Sequence, residues 1–244
     1  MKRALAVGIG ACLLFVVGCR DYDVRLEETL EEMKYQKRLN DNLAEAPTKG
    51  LLQQELIYIR PPKGFTGPTK AFTLATIESG KFDVESSFIE EPKQQASLHV
   101  LARHKKPKAA APKKGPAPAE PPPRGDFTAE VIDVLKVAYG IDDLAAKFKP
   151  ETKRHKGREN SYKFAKLDLA TKEVQVYLYG DKNSPYNVAL IFDYPKTEMN
   201  NLSPKIGLSL EAFATGEAAR RIFSGGSDAD GGEEATDSGQ PVPI

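Results

Sequence analysis

The sequence predicts an α+β fold in which an antiparallel sheet packs against helices. Two observations carry this prediction. Several short segments alternate apolar and polar residues, as half-buried strands do, while other segments repeat apolar residues at the helical period of 3.6. The composition agrees, because 244 residues with 40 % hydrophobic and 28 % charged residues are typical of a soluble body with one sizeable domain or two small ones.

The predicted strands fall into two groups. The first group is 57–59, 71–77, 82–89 and 97–103, and the second is 162–169, 173–179, 187–194 and 206–210. Within 173–179, the alternation places Tyr177 and Tyr179 on one face and Val176 on the other. The turn 180–185 is rich in residues that favour tight turns and joins two neighbouring strands.

Helices are predicted on both sides of the second strand group. They are 127–138, 141–149 and a final helix that Thr215 is expected to cap. Asp126 has the residue type and position of an N-cap for the first of them, and Gly140 follows it where a left-handed cap belongs. Pro150 is expected to end the second helix, because proline has no amide hydrogen to donate.

The chain divides by composition around an insertion. Residues 104–125 are rich in Pro, Ala and Lys, which predicts an extended disordered insertion, and 225–244 are an acidic, Gly-rich segment that predicts a disordered tail. The strands of 55–103 have no helix of their own to cover them, whereas 126–224 bring helices. We therefore expect 55–103 and 126–224 to form one α+β domain, with two separate domains as the alternative.

The order of these elements resembles the PsbP-like fold. A strand leads into the segment Ile59-Arg60-Pro61-Pro62-Lys63-Gly64-Phe65, and several strands, a helix, a meander of strands and a closing helix follow. That fold is an antiparallel sheet between helices, and it occurs in lipid-anchored and lumenal proteins of bacteria and plants. The resemblance therefore implies a sheet that lies between helical layers.

The amino-terminal segment predicts export. Two basic residues precede an apolar run over 4–17, which is shorter than the ~20 residues that a membrane-spanning helix needs. The run ends in Val16-Val17-Gly18-Cys19, which resembles the lipobox of bacterial lipoproteins. The resemblance implies that 1–18 is a signal peptide and that Cys19 carries diacylglycerol, often with a further acyl chain such as palmitate. An ordinary signal peptide with a coincidental cysteine is the alternative.

This assignment leaves the mature chain without a free thiol. Cys12 would be removed with the signal peptide, and the thiol of Cys19 would be bound to lipid. Disulfides, thiolate nucleophiles and cysteine-based metal sites are therefore not expected.

Residues 19–54 are predicted to form the lipidated N-terminus and a helical stalk. The part 21–44 is rich in helix formers and contains neither Gly nor Pro. Apolar residues occupy two different faces of it, with Tyr22, Leu26, Leu30 and Met33 on one and Tyr35, Leu39 and Leu43 on the other. Lys37 and Asn40 interrupt the repeat, which favours a solvated stalk over the alternative, a dimerising coiled coil.

No motif for a reaction is present in the sequence. It lacks the phosphate-loop, zinc-protease and serine-nucleophile patterns, so we expect no catalytic residue, no metal and no cofactor. Among the histidines, His99 is expected to be an ordinary strand residue and His104 to lie in the insertion. His155 lies in a basic segment whose cations disfavour a metal ion.

Two groups of residues are candidates for contacts with partners. The first group is Tyr177, Tyr179, Tyr186 and Tyr194, and the second is Lys153, Arg154, Lys156 and Arg158. The tyrosines suit a protein-binding surface, and they equally suit a second buried face of the sheet if helices cover both sides. The cations lie in a predicted exposed loop, which suits either contact with anionic headgroups or an acidic partner, or simple solvation.

Together these patterns predict a lipid-anchored, non-enzymatic protein of the cell envelope that acts as a scaffold or binding module for an envelope complex. The alternative is a small-ligand carrier or an enzyme whose cleft no motif reveals. Export and the lack of interleaved aromatic residues argue against nucleic acid as a partner. In the sorting rule that accompanies lipoboxes, aspartate after the cysteine retains a protein in the inner membrane. Arg20 stands there, so the resemblance implies the outer membrane, facing the periplasm.

Overall fold

The described residues form five helices and nine strands, which confirms the α+β class. The computed structural model describes residues 3–69, 74, 81–105, 125–141, 143–155, 158–180 and 184–225, with the backbone alone for 3–21, 23 and 158. The helices are α1 (Arg3–Asn42), α2 (Leu51–Gln54), α3 (Phe127–Tyr139), α4 (Met199–Ala212) and α5 (Glu217–Phe223). The strands are β1 (Ile57–Tyr58), β2 (Phe65–Thr69), β3 (Val84–Glu90), β4 (Ser97–His104), β5 (Lys149–His155), β6 (Arg158–Asp168), β7 (Lys172–Tyr179), β8 (Tyr186–Pro195) and β9 (Ala214–Thr215).

Seven of these strands form one antiparallel sheet in the order β2-β3-β4-β8-β7-β6-β5. The pairing of β4 with β8 brings together the two parts of the chain that flank the insertion, with Leu98 opposite Phe192 and His104 opposite Tyr186. Strands β1 and β9 pair separately. Both parts of the chain therefore contribute strands to a single sheet.

Both faces of the sheet are buried. On one face, Leu135 of α3 belongs to the same apolar cluster as Ile191 of β8. On the other face, Ile206 of α4 belongs to the same cluster as Phe192, the next residue of β8. We call these two surfaces the α3 face and the α4 face. Successive residues of a strand point to opposite faces, so the central strands are apolar on both sides.

The predicted helix over 127–138 is confirmed, together with both of its caps. The Asp126 carboxylate accepts a hydrogen bond from the backbone N–H of Ala129 at 2.9 Å, and Gly140 adopts the left-handed conformation with φ of 66°. The predicted strands 82–89, 97–103, 162–169, 173–179 and 187–194 also match β3, β4, β6, β7 and β8. The predicted strand 71–77 lies outside the described residues, apart from Leu74.

The predicted strand 206–210 is wrong, because these residues lie in α4. Ile206 and Leu210, four residues apart, pack onto the sheet, whereas Leu208 and Ala212 pack onto α1. A helix that is buried on two sides carries apolar residues at i and i+2 as well as at i and i+4. Its sequence therefore imitates the alternation of a strand.

Three smaller predictions are also wrong. The predicted helix 141–149 is only a 3-10 turn over Ala145–Lys147, and β5 begins at Lys149; a helix of so few residues is marginal, and the edge strand tolerates Pro150. Thr215 does not cap α5, since it pairs with Ile57 in a strand. His104 does not belong to the insertion, because it ends β4.

The carboxyl-terminal part of the stalk is docked on the domain instead of being solvated. Leu39 and Leu43 of α1 are buried against Leu208 and Ala212 of α4. Leu43 also forms an isolated antiparallel bridge with Pro62. The stalk prediction therefore needs correction for its second half, where the face that carries Leu39 and Leu43 contacts α4.

A buried arginine holds this junction together. The Arg60 guanidinium donates hydrogen bonds to the backbone carbonyls of Ala44 at 3.0 Å and Leu43 at 3.5 Å, just past the end of α1. Carbonyls at the end of a helix have no partner within the helix, and they carry partial negative charge. The Arg60 carbonyl in turn accepts a hydrogen bond from Ser209 of α4. Arg60 thus links α1, the segment before β2 and α4.

We expect the substitution Arg60→Met to lower the free energy of unfolding by about 2 kcal/mol, because it leaves the partly buried Ala44 carbonyl and the buried Leu43 carbonyl without a charged donor. Urea denaturation measures this loss. The control is Arg38→Met, which removes a 55 % exposed side chain that contacts Glu211 at 3.3 Å and should cost about 0.5 kcal/mol or less. Equal losses for the two variants would show that the hydrogen bonds of Arg60 contribute no more to stability than an exposed ion pair does.

Candidate functional site

The four tyrosines singled out by the sequence lie on the α4 face, and all are buried. Their exposed fractions are 4 % for Tyr177, 8 % for Tyr179, 3 % for Tyr186 and 1 % for Tyr194. Of the two alternatives, the second buried face is the one observed, because α4 and the segments around it cover this side of the sheet. The prediction of an exposed partner-binding surface at these four residues is therefore wrong.

Two of these tyrosines belong to a buried polar network around Glu173. The Glu173 carboxylate accepts hydrogen bonds from the Tyr194 hydroxyl at 2.6 Å and from the Gln175 amide at 2.7 Å, and it forms an ion pair with Lys166 at 2.5 Å. The Tyr177 hydroxyl donates to the Gln175 carbonyl oxygen at 2.9 Å. Each polar group that the network brings into the interior therefore has a partner.

The network keeps Glu173 ionised and its tyrosine neutral. Burial alone would raise the pKa of the Glu173 carboxyl, but the hydrogen bonds from Lys166, Tyr194 and Gln175 outweigh burial and hold that pKa below its usual value. Burial and the adjacent Glu173 carboxylate raise the pKa of Tyr194. Neither group is poised to exchange a proton near neutral pH, as general acid–base catalysis requires.

The other two tyrosines also bind to neighbouring elements. The Tyr186 hydroxyl donates to the Glu55 carboxylate at 2.6 Å, and the same carboxylate oxygen lies 2.9 Å from Nε2 of His104. Tyr179 packs its ring edge-on against Phe213, next to Tyr162. These contacts tie the end of α2 and the end of α4 to the sheet, so the tyrosines act as internal ties between layers.

A second polar cluster lies on the α3 face, and the sequence did not predict it. Nδ1 of His99 lies 2.7 Å from the Ser87 hydroxyl, and Nε2 lies 2.9 Å from the Ser97 hydroxyl. Ser97 is directly opposite Asp193 in the sheet. The only signal in the sequence was the Ser97-x-His99 spacing, which places both side chains on one face of a strand.

Asp193 completes this cluster. Its Oδ2 accepts hydrogen bonds from the Tyr139 hydroxyl at 3.0 Å and from the Lys172 ammonium at 3.2 Å. Its Oδ1 is buried and has no hydrogen-bond partner among the residues that the structure describes. Tyr139 is the last residue of α3, so this contact ties the end of α3 to the edge of the cluster.

The His99 cluster resembles a nucleophile and its base in composition, but it is closed. Ser87 and His99 are both buried, so the described part of the chain encloses the ring against a substrate. Burial, with the nearby Lys172 charge, lowers the pKa of His99 to about 4, so the ring is neutral at physiological pH. Its hydrogen bonds therefore serve to satisfy polar groups under α3.

The predicted basic loop is wrong as a loop, since its residues belong to the hairpin of β5 and β6. Lys153 forms an ion pair with Glu151 at 2.7 Å, and Arg154 forms one with Glu159 at 2.8 Å. The Arg158 backbone pairs with that of His155, and Lys156 lies outside the described residues. Contact of this hairpin with an anionic surface stays a prediction, and Lys153 and Arg154 already face carboxylates.

The stalk meets this hairpin at its outer end. The Tyr35 ring of α1 stacks on the His155 ring, with centroids 3.3 Å apart and planes inclined by 12°. The Glu32 carboxylate lies 3.9 Å from Nε2 of His155. Helix α1 therefore contacts the domain from Glu32 to its end. The predicted lipid-attachment residue Cys19 lies within α1, and its side chain is outside the described part of the chain.

The described residues include an open groove but no candidate metal site. No group of three or more His, Cys, Asp or Glu side chains there could hold a metal ion. An open groove runs past the start of β6, the end of β7 and the start of α3, where Glu159, Lys163, Asn187 and Asp126 supply polar groups. Within the same residues, no helix is both long and apolar enough to cross a membrane.

Comparison with known proteins gives a likeness of fold. No protein-family model matches this chain, and no curated protein matches it. The solution structure of cyanobacterial PsbP (CyanoP) from Synechocystis sp. PCC 6803 has 9 % sequence identity and a TM-score of 0.41, and it covers 72 % of this chain and 93 % of its own. The crystal structure of the Saccharomyces cerevisiae Ran-binding protein Mog1p has 14 % identity and a TM-score of 0.33, covering 68 % and 93 %. Neither likeness carries an argument about function.

The pKa of His99 leads to a prediction for stability against pH. Because the folded ring has a pKa of about 4 and the unfolded ring about 6.5, the unfolded state takes up a proton first as the pH falls. This group should therefore cost up to about 3 kcal/mol of stability between pH 6.5 and pH 4. The test is to measure the free energy of unfolding of wild type and His99→Gln at several pH values in this range, because other titrating groups contribute equally to both proteins. A difference between the two proteins that does not change with pH would contradict the assignment.

The Glu173 network leads to a second prediction. We expect Tyr194→Phe to lower the free energy of unfolding by about 2 kcal/mol, because it removes a donor from a buried carboxylate while the ring stays in place. Tyr22→Phe is the matched control, as Tyr22 is 67 % exposed and its loss should have no measurable effect. Thermal or urea denaturation measures both variants. A Tyr194→Phe protein as stable as wild type would mean that the network is not a structural tie.

Proposed function

We propose that this protein is a lipid-anchored, non-enzymatic scaffold of the bacterial cell envelope. Lipid on Cys19 attaches it to the membrane, α1 holds the domain away from the surface, and the domain binds a protein of an envelope complex. The observation that carries this proposal is the course of α1. It runs without interruption from Val16-Val17-Gly18-Cys19, the lipobox-like segment, to a buried junction with the domain.

The length and the docking of α1 support a spacer role. From Cys19 to Tyr35, where the stalk stacks on the domain, an α-helix rises by about 24 Å at about 1.5 Å per residue. The contacts of Arg60, Leu39 and Leu43 fix the other end. A domain held in this way keeps one height and one orientation above the lipid, which suits a protein that positions a partner.

The internal chemistry of the domain supports a non-enzymatic role. Glu173 and His99 are the centres of two polar clusters of the domain, and both are buried among their own partners. Both have a pKa below the ordinary value of their group, so neither exchanges protons near pH 7. Glu173 and His99 have side chains of a type that often serves in catalysis, but here they connect the layers of the fold.

Two further features support the proposal, namely an exposed cation on the domain and the residue that follows Cys19. The Arg154 side chain is 74 % exposed on the β5–β6 hairpin, and, held above the lipid by α1, it suits an acidic protein partner. Arg20, directly after Cys19, favours the outer membrane over the inner one by the lipobox sorting rule.

A small-ligand carrier is the second candidate function, favoured by the polar groove beside Asp126 and Asn187.

The proposal predicts that Cys19 is acylated and that partner capture depends on it. Mass spectrometry of the amino-terminal peptide from native membranes should find the chain beginning at a lipid-modified Cys19. In a crosslinking pull-down from intact cells, wild type should recover a defined set of envelope proteins, and Cys19→Ala should lose that set. Cys12→Ala is the matched control, because this cysteine is predicted to leave with the signal peptide.

The possible outcomes separate the parts of the proposal. Equal recovery with Cys19→Ala would show that the lipid is not needed for partner binding. An acylated wild type that recovers no specific protein would favour the small-ligand carrier, whose test is binding in the groove. An unmodified Cys19 would overturn the lipid anchor.

A further inference from the structure

The open groove beside the start of α3 lies over a part of the sheet that the helix leaves exposed. Ser161 and Lys163 of β6 line it, and Lys163 is opposite Leu178, which packs on the α3 face. Residues two apart in a strand share a face, so the exposed Ser161 and Lys163 both lie on the α3 face. The groove has a volume of about 620 Å³, which is within the usual range for small-molecule sites.

Asn187 of β8 adds a third polar group to this surface. A side chain on Gly180, directly after β7, would begin 3.1 Å from Oδ1 of Asn187, so the glycine leaves room for the amide. The Asn187 amide, the Ser161 hydroxyl and the Lys163 ammonium form no hydrogen bond or ion pair with the residues that the structure describes. These three groups can therefore donate hydrogen bonds to a ligand.

The two carboxylates of the groove already have partners. Glu159 forms an ion pair with Arg154 at 2.8 Å, and Asp126 accepts a hydrogen bond from a backbone N–H of α3 at 2.9 Å. A further cation lies at the groove, since the Lys105 ammonium donates to the Gly180 carbonyl at 3.3 Å. Among the described residues around the groove, cations therefore outnumber carboxylates.

We propose that this groove binds a small organic anion, a carboxylate or a phosphate ester, with the anionic group on Lys163. The inference rests on the small-ligand carrier, the second candidate function, and it does not depend on the lipid anchor. An ammonium is a point charge that binds carboxylate and phosphate oxygens alike, and Ser161 and Asn187 supply neutral donors beside it. A neutral ligand would leave the Lys163 charge without a counter-ion, and a cationic ligand would be repelled by it.

Titration of the isotope-labelled full chain, purified in detergent, tests the inference by NMR. Inorganic phosphate and citrate are the anionic probes and glucose is the neutral probe, each added at constant pH and ionic strength. At least one anion should shift the backbone amide signals of Ser161 and Asn187 saturably, whereas glucose should not. A response to phosphate alone assigns a phosphate ester, and a response to citrate alone assigns a carboxylate.

Three variants separate the groove from general surface charge. Lys163→Met should weaken anion binding about fivefold, because it removes the charged donor. Glu159→Gln should strengthen binding about twofold, because it removes a negative charge and releases Arg154 from its ion pair. Lys149→Met is the matched control and should change nothing. Lys149 is exposed and without an ion pair among the described residues, but it lies opposite Phe164 on the α4 face.

Each outcome decides a separate point. No saturable shift with either anion, or an equal loss of affinity in Lys163→Met and Lys149→Met, overturns the anion site. A saturable shift with glucose alone overturns the ligand class and leaves the small-ligand carrier standing. No response to any of the three probes overturns the groove as the site of such a carrier. None of these results changes the lipid anchor, because mass spectrometry of Cys19 tests it separately.

Discussion

Burial of both faces of the seven-stranded sheet is the constraint on which the rest of the structure depends. The central strands β4, β7 and β8 are buried at nearly every position, so each face needs a helical layer. Helix α3 supplies one layer and α4 the other. The parts of the chain before and after the insertion cannot fold apart, because β4 lies between β3 and β8 in the same sheet.

The buried polar networks follow from the same constraint. A tyrosine that is enclosed on the α4 face still carries a hydroxyl that needs a partner, and Glu173, Glu55 and backbone carbonyls supply it. On the α3 face, serine hydroxyls satisfy His99 in the same way. The polar groups of these two networks are thus turned inward, where they connect the layers of the fold.

Local patterns in the sequence predicted much of the fold and little of the site. The α3 helix was predictable because Asp126 and Gly140 mark its ends, and the meander because its strands alternate. Helix α4 was not, since contacts on two sides hide its period. The burial of Tyr177 and Tyr194 depends on which element covers their face, and the pairing of Ser87 with His99 depends on strand register. Both are decided by contacts between distant segments, which no local pattern reveals.

In the proposed anchored protein, the docking of α1 at Arg60 makes the orientation of the domain depend on the number of residues in α1. A helix turns by about 100° with every residue, and a rigid junction passes that rotation on to everything beyond it. In the proposed lipid-anchored protein, one residue more or fewer between Cys19 and Glu32 would rotate the domain around the stalk, whereas about seven would nearly restore its orientation. Under that proposal, the number of residues in this segment sets the orientation of the domain even where its side chains make no contact.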